Sequence, residues 1–114
     1  MRITTWNINS VRLRIGLALK ILEQSKHDVL CLQETKCPDE QFPFEAFRDI
    51  GYKYIAVNGM KAYNGVALIS RVPFESELAL DWTERSDCRH ISGVFPGDIE
   101  IHNFYVPAGG DEPD

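Results

Sequence analysis

Glu34 sits where a run of apolar residues, Val29-Leu30-Cys31-Leu32, followed by Gln33, gives way to polar chain. A carboxylate at the mouth of a buried strand can hold a hard divalent cation or take part in proton transfer, and an ordinary solvated loop acid has the same spacing. Asn7 lies among large apolar neighbours in Ile3-Thr4-Thr5-Trp6-Asn7-Ile8. Its amide either joins a structural hydrogen-bond network or supports a cation and its waters. Lys36, Arg12 and Arg89 each read as a phosphate contact or as a solvated surface charge. Tyr63, beside Asn64-Gly65, offers a phenol that can bond and stack on a nucleotide, or pack in a hairpin. Tyr105, next to Val106-Pro107, is a proton-transfer or phosphate-binding phenol, or a core aromatic. His27, His90 and His102 have no metal-like spacing, and no histidine stands out as a general base. The chain carries no Gly-rich phosphate loop, nucleophile elbow or Cys-His arrangement.

The elements that must position these residues follow from periodicity. Residues 2 to 8, rich in β-branched and aromatic types, read as a first strand. A helix follows, with Leu13, Leu17, Ala18, Ile21 and Leu22 on one face, Asn9 or Ser10 as cap, and an end near Ser25 to His27. Val29 to Leu32 reads as a strand buried on both faces. Strand, helix, strand implies a crossover between parallel neighbours, which brings Asn7 and Glu34 to the same sheet edge. After a Pro- and Phe-containing connection, Tyr52 to Val57 and Val66 to Ser70 form two further strands, with Asn58-Gly59 and Asn64-Gly65 as turn signals. Ile91 to Phe95 and Ile99 to Val106 pair across Pro96-Gly97-Asp98. The fold class is therefore α/β with a mixed sheet.

With 114 residues and 44% hydrophobic content, the chain can build one core. No composition break divides it, so it reads as a single unit. Its net charge of -5, from 17 acids against 12 bases, excludes nucleic-acid binding by bulk positive charge; any such contact must be local. Cys31, Cys37 and Cys88 suit neither a disulfide framework nor a zinc site, and Cys31 reads as a small buried hydrophobe. No apolar run approaches the ~18 to 20 residues of a membrane span. No leader pattern opens the chain, which implies a cytoplasmic protein without membrane contact.

Four blocks together resemble the exonuclease III branch of the endonuclease/exonuclease/phosphatase superfamily. They are Ile3-Thr4-Thr5-Trp6-Asn7-Ile8-Asn9-Ser10-Val11-Arg12, Asp28-Val29-Leu30-Cys31-Leu32-Gln33-Glu34-Thr35-Lys36, Tyr63-Asn64-Gly65-Val66-Ala67-Leu68-Ile69-Ser70-Arg71 and Asn103-Phe104-Tyr105-Val106-Pro107. Their order and intervals fit, and they span nearly the whole chain.

The resemblance implies a deoxyribonuclease-like four-layer α/β sandwich, of which residues 1–114 form the N-terminal portion. It implies Mg²⁺, with Mn²⁺ as an alternative, and cleavage of double-stranded DNA 5′ to abasic sites, with 3′ to 5′ exonuclease activity at 3′ ends. By motif, Glu34 binds the metal, Asn7 supports metal and nucleophile, and Tyr105 is the active-site tyrosine. Lys36 orients Glu34, while Arg12, Tyr63, Asn64 and Arg89 approach the DNA backbone. Ala108 stands where many relatives carry Asn, and Asn9 where some carry Asp. The family's Gly-Asp-x-Asn and Ser-Asp-His motifs, which supply the general base and further ligands, have no counterpart before Asp114. The chain alone is therefore expected to be inactive. It is also expected to expose the inner face of its first sheet and to self-associate, whereas the full-length protein is expected to be a monomer. Rival readings are a superfamily phosphatase or nuclease with another substrate, and a non-catalytic interaction fragment.

Overall fold

The chain lays down, in order, β1 (Ile3–Asn7), α1 (Ile15–Gln24), β2 (Val29–Gln33), α2 (Phe44–Arg48), β3 (Tyr54–Asn58), β4 (Val66–Ser70), β5 (Glu75–Glu77), β6 (His90–Phe95) and β7 (Ile99–Phe104). These elements come from a computed structural model that describes residues 1–61, 64–77 and 88–106. Tyr63 and Ala108 lie outside the described residues.

The first sheet has the order β1-β2-β4-β3 and the second the order β5-β6-β7. The β1–β2 pair is parallel and every other pair is antiparallel, so the first sheet is mixed as expected. Every residue of β2 and of β4 is buried, because each strand is covered on both faces. The side chains divide with the period of two that a strand imposes. Leu30, Leu32, Ala67 and Ile69 join Ala18, Leu22 and Phe47 in a core beneath the helices. Val29, Cys31, Val66 and Leu68 face the second sheet, meeting Ile91, Phe95 and Ile101. Helices, first sheet and second sheet thus form three described layers around two cores.

Two expectations need correction. The inner face of the first sheet is not bare, since the chain's own β5–β7 cover it; the short β5, which pairs Glu75–Glu77 with β6, had no sequence signal of its own. The buried stripe of α1 is also rotated. Ala18 and Leu22 are buried, and Ile15 and Leu19 pack against the core, whereas Leu13 is 75% and Leu17 51% exposed. The cause is a tight turn at residues 11–14, which sends Val11 inward and starts the helix only at Ile15. Ser10 caps that turn, its Oγ accepting from the Leu13 N–H at 3.3 Å, while α1 itself has no side-chain cap.

Candidate active site

Asn7 and Gln33 are register partners at the ends of the parallel strands β1 and β2, so Glu34 emerges beside Asn7. The backbone then keeps pairing past both strands. Ile8, Ser10 and Val11 donate to the carbonyls of Gln33, Glu34 and Thr35 at 3.0, 2.8 and 3.0 Å. On the other side Thr35 and Lys36 donate to Gly65 and Asn64 at 3.1 and 2.9 Å, and Gly65 donates to Cys88 at 3.1 Å. Four chain segments are therefore laced together at one edge of the two sheets.

The lacing requires unusual backbone. Asn9, Ser10, Glu34, Lys36, Asn64 and Cys88 all have positive φ, between 51° and 84°, as does Gly65 at 95°. Residues other than glycine enter that region at a cost of order 1–3 kcal/mol each, and the surrounding hydrogen bonds hold them there. Gly65 has a second constraint, because a Cβ at this position would stand 2.1 Å from Thr35 Oγ1. The sequence marked Asn64-Gly65 as a turn; the structure makes it the floor beneath Thr35 and Glu34.

The second sheet delivers the phenol. Tyr105 N donates to Arg89 O at 2.8 Å, extending the β6–β7 ladder by one step beyond the His90–Phe104 pair. The Tyr105 hydroxyl lies close enough to the Glu34 carboxylate to feel its charge. Partial burial pushes this phenol above its ordinary 10.0, the Glu34 charge and hydrogen bond push it the same way, and the nearby Arg89 guanidinium opposes them. Glu34, Tyr105 and Arg89, remote in sequence, thus share one locus, with the exposed Asn7 beside it.

The remaining candidates are placed around this locus. Lys36 Nζ donates to Asn9 Oδ1 at 2.5 Å, so the ammonium braces the β1–α1 connection rather than Glu34; the left-handed turn at Lys36 accompanies that direction. Arg12 reaches Gln41 Oε1 at 2.5 Å on the surface. Asn64 accepts through its carbonyl from Lys36 and sits directly against the Glu34 segment. Sequence reasoning missed Thr35, Gln33 and Asn103 as parts of the site's support. Asn103, a polar residue two positions after Ile101 and so on the same buried face of β7, was the legible signal.

The donors suit a hard cation that keeps much of its water. One half-exposed carboxylate with an exposed amide oxygen next to it is the sparse oxygen set Mg²⁺ accepts when phosphates or other carboxylates complete its shell. Among the described residues no group of three or more His, Cys, Asp and Glu gathers to form a complete cage. No helix among them is long and apolar enough to cross a membrane.

A two-sheet α/β sandwich that gathers a carboxylate, an amide, a phenol and a guanidinium at one sheet edge can hold a hard cation and an anionic group side by side. The chain belongs to the endonuclease/exonuclease/phosphatase family, which it matches over residues 4–113. It is 38% identical to exodeoxyribonuclease III of Haemophilus influenzae, over 95% of this chain and 46% of that protein. It superimposes on an AP endonuclease from Archaeoglobus fulgidus with a TM-score of 0.83 at 37% identity, covering 94% of this chain and 42% of the other. With the Neisseria 3′ phosphatase NExo bound to a product DNA hairpin, the TM-score is 0.88 at 32% identity, over 99% and 45%. The chain therefore spans a little under half the length of these three relatives.

Proposed function

We propose that this chain forms the N-terminal portion of a single-domain, Mg²⁺- or Mn²⁺-dependent DNA-repair phosphodiesterase that cleaves 5′ to abasic sites and trims 3′ ends. The observation that carries this reading is the meeting of Glu34 and Tyr105 at an edge where Asn7 also emerges. The names of the relatives, an exodeoxyribonuclease, an AP endonuclease and a 3′ phosphatase bound to DNA, support DNA as the substrate class.

In this reading Glu34 and Asn7 hold the cation, which when bound withdraws charge from the phosphoryl group and the leaving oxygen. The Tyr105 hydroxyl, protonated at neutral pH as any phenol is, donates a hydrogen bond to Glu34 or to a phosphate oxygen. Arg89 adds positive charge beside that oxygen. Arg12, Tyr63 and Asn64 approach the DNA backbone, and Lys36 stiffens the β1–α1 connection that carries Arg12. Such local contacts let a chain with net charge -5 engage DNA, with affinity that falls as salt rises. The general base lies in the other half of the domain.

The test is cleavage of a labelled duplex carrying one abasic-site analogue, with Mg²⁺ and then with EDTA. The chain is assayed alone and fused to the second half of the Haemophilus relative. Metal-dependent incision by the fusion, lost on Glu34→Gln, supports the proposal. Robust incision by the chain alone overturns the division of the active site, and incision unaffected by Glu34→Gln overturns the assignment of Glu34.

A further inference from the structure

Among the described residues, two buried amides, Gln33 and Asn103, join the two sheets across their apolar interior. Asn103, 3% exposed on β7, crosses the gap and donates through Nδ2 to the carbonyls of Leu32 and Ala67, each at 2.9 Å. Those two carbonyls belong to register partners of β2 and β4. Gln33, 9% exposed, donates through Nε2 to Asn103 Oδ1 at 2.7 Å and to Thr5 Oγ1 at 2.9 Å. The orientation of the Asn103 amide follows from its neighbours: two carbonyls demand its NH₂ group, which leaves Oδ1 for the Gln33 donor.

We propose that Gln33 and Asn103 form a buried amide clip that positions Tyr105 on Glu34 by fixing the end of β7 against the end of β2. Gln33 immediately precedes Glu34. Asn103 lies two residues before Tyr105, and the period of two in an extended chain puts both side chains on the same inner face; Tyr105 packs against the inter-sheet core as Asn103 does. The two ends of the clip are thus one and two residues from the pair whose separation matters.

Apolar packing cannot do this alone, because it is non-directional and lets one sheet slide over the other by a fraction of a residue. On the β1 and β7 side it is also incomplete. A groove of about 430 Å³ opens there, flanked by Ile3, Thr5, Ile101 and Phe104. Three hydrogen bonds with fixed directions cross between the sheets beside that groove, and a fourth ties Gln33 to Thr5 within the first sheet. Such networks are satisfied in one arrangement and leave costly orphaned groups in others. That catalysis depends on the clip rests on the proposed function; the positioning itself does not.

The test uses this chain and two nuclear magnetic resonance readouts. The first is the through-space cross-peak between the Tyr105 ring and the Glu34 side chain. It is expected in the unsubstituted chain and lost in Asn103→Leu, which keeps the volume and removes the donors. Where Asn103→Leu fails to fold, Gln33→Met is used, with the same expected loss. A variant that melts at lower temperature yet retains the cross-peak shows a merely structural role and overturns the proposal, as does absence of the cross-peak from the unsubstituted chain.

The second readout is paramagnetic broadening by added Mn²⁺, expected around Glu34 in both the unsubstituted chain and the variant, because the ion's effect reaches much farther than any slip of the sheets. Its retention in the variant shows that a lost cross-peak reports the position of Tyr105 rather than loss of the folded edge. No broadening in either sinks the metal reading of Glu34, and the cross-peak then decides the clip by itself.

Discussion

Glu34→Gln keeps the size of the side chain and its ability to accept from Tyr105, and removes the charge. Two effects follow at this scale. Mg²⁺ or Mn²⁺ affinity falls by roughly one to two orders of magnitude, because a neutral amide is a poor substitute for a carboxylate on a hard cation; calorimetric titration measures it. The Tyr105 phenol, held above 10.0 in part by the Glu34 charge, moves back down while staying raised by burial; ultraviolet difference titration of the substituted and parent chains reads that movement. An upward shift, or none, removes Glu34 from contact with Tyr105. Much of this locus was legible in the sequence. Two parallel strands joined by a helix must end on one edge, so Asn7 and Glu34 were bound to be neighbours. Tyr105 was legible only through family resemblance, because a lone tyrosine at a strand end carries no sign of its partner. The lacing of Thr35 and Lys36 to Asn64 and Gly65 was hidden for the same reason: backbone hydrogen bonds between loops leave no side-chain pattern.

The helix and the central strand test the corrected packing at the scale of elements. An apolar face of Leu13, Leu17, Ala18, Ile21 and Leu22 has sound helical spacing, and Ala18 and Leu22 are indeed buried, but it assumes that the helix begins before Leu13. The turn at residues 11–14 takes Leu13 out of the element and rotates the buried face to Ile15, Ala18, Leu19 and Leu22. Leu22→Ala, at a site 5% exposed, is therefore expected to destabilise by about 2–5 kcal/mol, and Leu13→Ala, at 75% exposure, by less than about 0.5 kcal/mol. Chemical denaturation of the two variants compares them directly, and equal losses would return Leu13 to the core. In β2, burial alone pushes the Cys31 thiol from 9.0 up to about 11. A thiol whose pKa is raised on folding adds stability that is complete below the unfolded value and lost as pH rises through the folded one. At about 1.4 kcal/mol per pH unit, Cys31 contributes about 3 kcal/mol that disappears between pH 9 and 11. Cys31→Ala is expected to be less stable at pH 7 and to lose less stability across that interval; a slope identical to the parent's would show that the thiol already ionises in the folded state.

The whole molecule is closed in one direction and open in another. Its two sheets cover each other and the helices cover the first, so the apolar faces expected to be bare are largely buried. One open side carries the edges of β1 and β7; each is an end strand of its sheet, as β3 and β5 are at the opposite ends, and no described strand pairs with its outer edge. Ile3 on β1 is 48% exposed, and Ile99 and Phe104 on β7 are 43% and 44% exposed. Unpaired strand edges with apolar side chains template association with other chains, and a charge on the edge suppresses it. Relatives about twice as long supply enough chain to cover this side. Left without such a cover, the 114-residue chain is expected to form dimers or larger species at tens of micromolar. Ile3→Lys places a cation on the β1 edge without touching either core, and should shift the sedimentation profile toward monomer while leaving the circular dichroism spectrum unchanged. If the parent chain sediments as a monomer at high concentration, the edges are protected by residues outside those described. If Ile3→Lys associates as strongly as the parent, the β1 edge is not the contact, and Ile99→Lys then tests the β7 edge in the same way.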